Sequence, residues 1–409
     1  MSERVSTRSS TWRSRNVWSI ALSASFADLG YQSVIGVFPL FVVVILHKPV
    51  WVFGLSSALS YGGGAFFAWL GGRLGNKVGH RCLVIIGNLM IPMLSFSALS
   101  KNIAVAIGLF AGDWWARNLR SPSRRVMLVD AVQDKDKIPA AFGFLHALDV
   151  GGGILAAVYV LVGFSMHISI AKLFIFTVIP LLVSSLFLIR THSSIGYKRS
   201  SSQTELNKTQ TIFKAPTKGL LVAATLYGFT YYSIGFPILS VAQKSHSLRF
   251  GIVAFLIFQA TSSLVGLTLP RFVGASLIKK FKTLALFGYI GAGAGGVILA
   301  MAYFASLGVL AMIVGIGILG SSLGVVETLE PTLISMLKNS QTIGRGFGSL
   351  SAARSLGVFI ANVVMGILYG LNPSLSYTYV AVVATIAGTI LLKTVSEKAF
   401  SSSNLNKLI

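Results

Sequence analysis

The sequence predicts an all-α integral membrane protein: twelve transmembrane helices in two pseudo-symmetric six-helix bundles, with both termini cytoplasmic. Three observations predict it. The first is composition: 54% of the 409 residues are hydrophobic and only 11% are charged, against about 25% charged in a soluble domain. The second is the recurrence of apolar runs that reach the ~20 residues needed to cross a bilayer. The third is where the charge falls. Five basic residues (Lys48, Lys101, Lys172, Lys244 and Arg249) lie on one side of the expected membrane, Arg354 lies inside a helix, and the other 28 of 34 share the side of the termini. Cytoplasmic loops carry such an excess.

The elements follow in order, each bounded by charge or turn residues. A polar tail, 1–16, contains four arginines and precedes the helix 17–46. That run is longer than the 7–15 residues of a signal-peptide core, so it reads as a spanning helix. Helix 51–71 ends at Gly72-Arg73, 82–100 at Lys101, and 103–130 at Asp130. Helices 138–163 and 169–189 complete an N-terminal bundle, 17–189. The segment 190–218, with its serine run and lysines, reads as a flexible linker. A C-terminal bundle, 219–393, holds helices 219–243, 249–275, 283–306, 308–336, 343–369 and 375–393. A polar tail, 394–409, follows.

The two bundles repeat one another. Gly36-Val37-Phe38-Pro39-Leu40 echoes Ile234-Gly235-Phe236-Pro237-Ile238, and Gly30 matches Gly228. Ser121-Pro122 echoes Glu330-Pro331, and Phe142-Gly143 echoes Phe347-Gly348. Six residues beyond each of the last glycines stands a charge, Asp149 in one half and Arg354 in the other. Duplicated halves of this kind place a solute site between them near the midplane.

The net charge of +23 is clustered between apolar runs rather than spread over one face, which argues against nucleic acid as a partner. A single cysteine, Cys82, excludes an intrachain disulfide and any cysteine-based metal centre. The six histidines are scattered singly, so no metal site and no cofactor is expected. The glycine runs at 62–64, 151–153 and 291–296 suit close helix approach rather than phosphate binding. No nucleotide loop and no nucleophile–base cluster is present, so an enzyme is not expected.

After the second helix the chain reads Gly72-Arg73-Leu74-Gly75-Asn76-Lys77-Val78-Gly79-His80-Arg81. This resembles the signature loop of the major facilitator superfamily, G-x-L-a-D-[RK]-x-G-[RK]-[RK]. Gly72, Leu74, Lys77, Gly79 and Arg81 match; Asn76 replaces the usual acid and His80 a usual base. The stretch Arg117 to Gly153 resembles the drug/proton antiporter-like branch, through Arg120 and Pro122, Asp130, Phe142-Gly143, Asp149 and Gly152. The resemblance implies the twelve-helix fold of that superfamily. It also implies ion-coupled transport of a solute by alternating access.

Charges at bilayer depth cost about 2.5–3.5 kcal/mol each and mark functional positions. Asp28, Asp113 and Asp149 are the candidate proton or cation sites. Arg117, Arg354 and Tyr231 are expected to line the solute cavity, the arginines pairing with these acids or with an anionic solute. Arg120, Glu327 and Glu330 are expected to form ion pairs that close an inner gate. These assignments hold five acids against three arginines, an acid excess that favours proton-coupled efflux of organic, drug-like compounds. Proton-coupled uptake of an organic anion or other small metabolite is the alternative, and a non-transporting membrane sensor is the alternative of another class. The expected setting is a monomer in the lipid bilayer of the plasma membrane, acting on a small molecule with protons or another coupling ion.

Overall fold

The computed structural model describes residues 14–100, 102–132, 137–191, 214–230, 233–274, 276–338 and 342–396. These form long antiparallel helices. The N-terminal half contains α1 (Arg15–Ile45), α2 (Val50–Val78), α3 (His80–Leu99), α4 (Ile103–Ala131), α5 (Ile138–Ser165) and α6 (Ile170–Ile189). The C-terminal half contains α7, in two pieces (Lys214–Gly228 and Gly235–Ser245), then α8 (Leu248–Val273), α9 (Leu277–Phe304), α10 (Val309–Leu337), α11 (Ile343–Leu371) and α12 (Pro373–Ser396). Ten of these helices are long and apolar enough to cross a membrane. The other two are α4, which carries Asp113, Arg117, Arg120, Arg124, Arg125 and Asp130, and the broken α7.

Local chemistry sets the helix ends. The Ser14 hydroxyl accepts from the Val17 amide at 3.4 Å to start α1, and the Asn102 side chain accepts from Ala104 at 2.9 Å to start α4. Gly79, at φ 96°, turns the chain sharply between α2 and α3, a conformation in which a Cβ would be strained. Pro122 and Pro331 lie inside α4 and α10 without ending either helix. The break in α7 was not expected from the apolar run. Gly228 is pressed against Arg354 and Gly357 of α11, and Pro237 cannot donate back to residue 233. Ser233 O accepts from the Phe236 amide at 3.1 Å instead, while the Ser233 amide donates to the Asn362 side chain of α11 at 3.0 Å.

The halves share a contact plan. In the first, α1 packs on α5, α2 on α4, and α3 on α6; in the second, α7 packs on α11, α8 on α10, and α9 on α12. Between halves, α2 lies along α11 and α5 along α8. The α2–α11 seam is built on bare backbone. A methyl group added at Gly54 would come within 2.8 Å of Gly366 Cα, and one at Gly72 within 2.9 Å of Gly348 Cα. The second seam is polar: His146 and Ser262 meet at 2.9 Å, and the Ser263 hydroxyl donates to Ala147 O at 3.0 Å. The end of the bundle that holds the α2–α3 turn is the expected cytoplasmic end, here termed the inner end.

Candidate functional site

A cavity of about 240 Å³ lies between the halves and is lined from both. The few charges of the sequence converge on it because α1, α4, α5, α10 and α11 each turn one polar face inward.

On the N-terminal side, Asp28 of α1 accepts hydrogen bonds from Tyr31 and, at 3.4 Å, from Gln32. Asp149 lines the same cavity from α5, whose Gly152 packs against Ser25 and Asp28. Asp149 is gripped by both Nη atoms of Arg124, at 3.3 and 3.0 Å, a two-point contact that fixes its plane. Asp113 is fully buried behind the cavity wall, with its nearest cation, Arg117 Nη1, 3.7 Å away. The Arg117 guanidinium sits between two rings, 3.4 Å from the Tyr31 centroid and 4.2 Å from that of Trp114.

On the C-terminal side, Arg354 of α11 reaches Glu327 at 2.5 Å and Glu330 at 3.3 Å, both on α10. Glu330, 1% exposed, accepts from the Tyr289 hydroxyl at 2.7 Å. A salt bridge also joins the halves here: Arg125 Nη2 of α4 lies 3.3 Å from Glu327, and Arg125 Nη1 donates to Ser351 of α11 at 3.2 Å.

Most of the residues singled out from the sequence therefore meet at one place, in partnerships that differ from those expected. Arg354 pairs with the glutamates of its own half rather than with an aspartate. Arg120 does not face Glu327 or Glu330; it turns into its own half and donates to Asn88. Arg125, one residue past Arg124, occupies the inter-half position instead. The reason is helical phase: five residues separate Arg120 from Arg125, which swings Arg125 about 140° around the axis. Tyr231 lies outside the described residues. Of the signature loop, Gly72 belongs to the α2–α11 seam, and Gly79 forms the turn. Arg81 donates to Ile189 O at 2.5 Å, while Asn76 and Lys77 are exposed. Arg124, Arg125, Tyr31, Asn88 and Gln259 were missed. In the sequence the basic pair counts toward the inner charge excess, although 117, 120 and 124 show the i, i+3, i+7 spacing of one helix face.

The family model described as Major Facilitator Superfamily matches residues 20–362. The chain belongs to the major facilitator superfamily. No curated protein matches the chain. Among solved structures it is similar to the human organic anion transporter MFSD10 (TETRAN), at 11% identity, TM-score 0.69, covering 92% of this chain and 99% of that one. It is also similar to a D-xylose-proton symporter, at 14% identity, TM-score 0.71, covering 94% and 99%. The proton:xylose symporter XylE bound to 6-bromo-6-deoxy-D-glucose matches at 15% identity, TM-score 0.67, covering 93% and 96%. These likenesses are of fold. The charged cavity of this superfamily member lies between its two halves.

Proposed function

We propose that this chain is a proton-coupled secondary transporter of a small organic anion, working by alternating access in the plasma membrane with its termini in the cytoplasm. Charge balance carries the reading. Five arginines (117, 120, 124, 125 and 354) and three carboxylates (Asp28, Asp149 and Glu327) line the cavity. Counting Arg124 and Arg125 brings the five acids expected from the sequence level with five arginines, and the arginine excess at the cavity surface arises because Asp113 and Glu330 do not line it. An anion neutralises such a site at a depth where unpaired charge is costly. The volume, about 240 Å³, falls below the ~300–1,000 Å³ of pockets for drug-sized ligands, which supports a small solute.

Asp28 and Asp149 supply the coupling. Both carboxyl groups line the cavity from neighbouring helices, and Arg124 ties Asp149 to α4. Glu327, shared between Arg125 and Arg354, serves as the inner gate: its link to α4 must break for the halves to part at that end.

One observation favours export of amphipathic cations instead. Tyr61 and Trp114, 4.4 Å apart, give the same cavity an aromatic wall. Flux in proteoliposomes separates the readings. The anion reading expects uptake of labelled organic anions driven by an inward proton gradient, with Asp149→Asn abolishing the pH drive while the protein stays folded. Wild-type-like proton-driven flux in Asp149→Asn would sink the proton assignment, and gradient-driven movement of organic cations alone would sink the anion.

A further inference from the structure

Among the described arginines that line the cavity, Arg117 has two aromatic rings against it and no carboxylate or amide oxygen within hydrogen-bond range. Its Nη1 points to Asp113 across 3.7 Å, beyond hydrogen-bond range, and neither Nη1 nor either Asp113 oxygen has a hydrogen-bond partner. Arg124, Arg125 and Arg354 each have an acid within 3.3 Å. Both faces of the Arg117 guanidinium are taken by the Tyr31 and Trp114 rings. Only its edge remains for the cavity that it lines.

A second unsatisfied donor belongs to a residue that lines the same cavity from the other half. Gln259 of α8 is 2% exposed, lines the same cavity, and its amide nitrogen has no acceptor. Its depth follows from its neighbours. Phe255 packs on Gly36 of α1, and Gln259, one turn further in, packs on Gly153 of α5. Gln32 is one turn inward of Gly36, so Gln259 stands level with Gln32 and Tyr31. An unsatisfied buried donor is costly, and an acceptor on a bound solute removes that cost.

Resting on the anion-transport reading above, we propose that Arg117 and Gln259 form a two-point site for a carboxylate, one donor from each half. The flat slot selects the carboxylate. A guanidinium edge takes two coplanar oxygens, and the rings on either side accept a planar CO₂⁻ group in that plane. A tetrahedral sulfonate or phosphonate directs an oxygen out of the plane toward a ring. In the empty carrier Asp113 offsets the Arg117 charge at a distance too long to compete with a bound oxygen.

The test uses the purified full chain and matched probes: acetate, lactate and benzoate, each against its own amide, with benzenesulfonate and phenylphosphonate as tetrahedral anions. Thermal shift and Trp fluorescence quenching report binding. At least one carboxylate is expected to stabilise the protein where its amide and the tetrahedral anions do not. Arg117→Lys, which keeps the charge and loses the fork, should weaken that probe about ten- to a hundredfold, and Gln259→Leu about tenfold. The site is overturned if no carboxylate outperforms its amide, if a tetrahedral anion binds best, or if both variants change affinity less than twofold while eluting as monodisperse protein. Liposome flux distinguishes the two proposals. Transport of another solute with no carboxylate binding removes this site and leaves the transporter. Carboxylate binding without any flux leaves the site and removes the transporter.

Discussion

The Arg125 guanidinium lies 3.3 Å from Glu327 across the boundary between halves, and the same carboxylate is held at 2.5 Å by Arg354 from its own half. One acid therefore ties α4, α10 and α11 together at the inner part of the cavity. Glu327→Gln should loosen that end. In a Cys82→Ser background, a cysteine at Ser351, which touches Arg125, should then react several-fold faster with a membrane-impermeant thiol reagent. Arg125→Gln should speed labelling likewise, and combining it with Glu327→Gln should add little beyond either change alone. A double-mutant cycle should give a coupling of about 0.5–3 kcal/mol.

Asp113 has a stability consequence. It is fully buried and pairs only loosely with Arg117. Asp113→Asn leaves a cation at bilayer depth without its counter-ion, and breaking a buried pair on one side costs about 3–5 kcal/mol. The melting temperature in detergent should fall. Removing both charges, as Asp113→Leu with Arg117→Met, should recover most of the loss, since a buried pair gives little net stability over apolar residues of similar size. A double variant less stable than Asp113→Asn would contradict this account.

The α2–α11 seam makes a steric prediction. At Gly72 a side chain meets Gly344 O at 2.8 Å and Gly348 Cα at 2.9 Å, both backbone atoms with nowhere to go. Gly72→Leu should hold the inner end apart and reduce solute flux to about a tenth or less, the ~1.4 kcal/mol that a tenfold shift in population requires. Gly108, with no atom within 4 Å of an added methyl, is the matched control, and Gly108→Ala should transport normally.

Two hydrogen bonds carry measurable stability. Tyr289 donates to the buried Glu330 at 2.7 Å, and Asn362 accepts from Ser233 at the α7 break at 3.0 Å. Tyr289→Phe and Asn362→Ala each strand one buried polar group, at a cost of about 1–3 kcal/mol. The two sites share no partner, so their effects on unfolding should add to within about 0.5 kcal/mol.

The helices were legible because bilayer crossing demands long apolar runs, and those survive in the sequence whatever the packing. The expected 343–369 is observed as Ile343–Leu371, and 17–46 as Arg15–Ile45. The α7 break was not legible, because it depends on Gly228 meeting α11 and on Asn362, more than a hundred residues away, capping Ser233. At the site, a charge at membrane depth announces itself, which is how Asp28, Asp149 and Arg354 were found. Its partner does not. Arg120 and Arg125 are equally basic and near in sequence, and only the rotation of α4 against its neighbours sends one to Asn88 and the other to Glu327. Gln259 carries no charge and stands out only once its amide is seen without an acceptor.

The lengths of α2, α4, α10 and α11, at 29 residues each, carry a last consequence. A straight helix of that length spans about 43 Å against a ~30 Å hydrocarbon core, so each must lean or project beyond the lipid tails. Rocking changes the lean. Bilayer thickness then acts on the carrier as an effector would: thin membranes favour whichever state tilts these four helices more. Reconstitution in lipids of graded chain length should shift the balance of states with every residue unchanged.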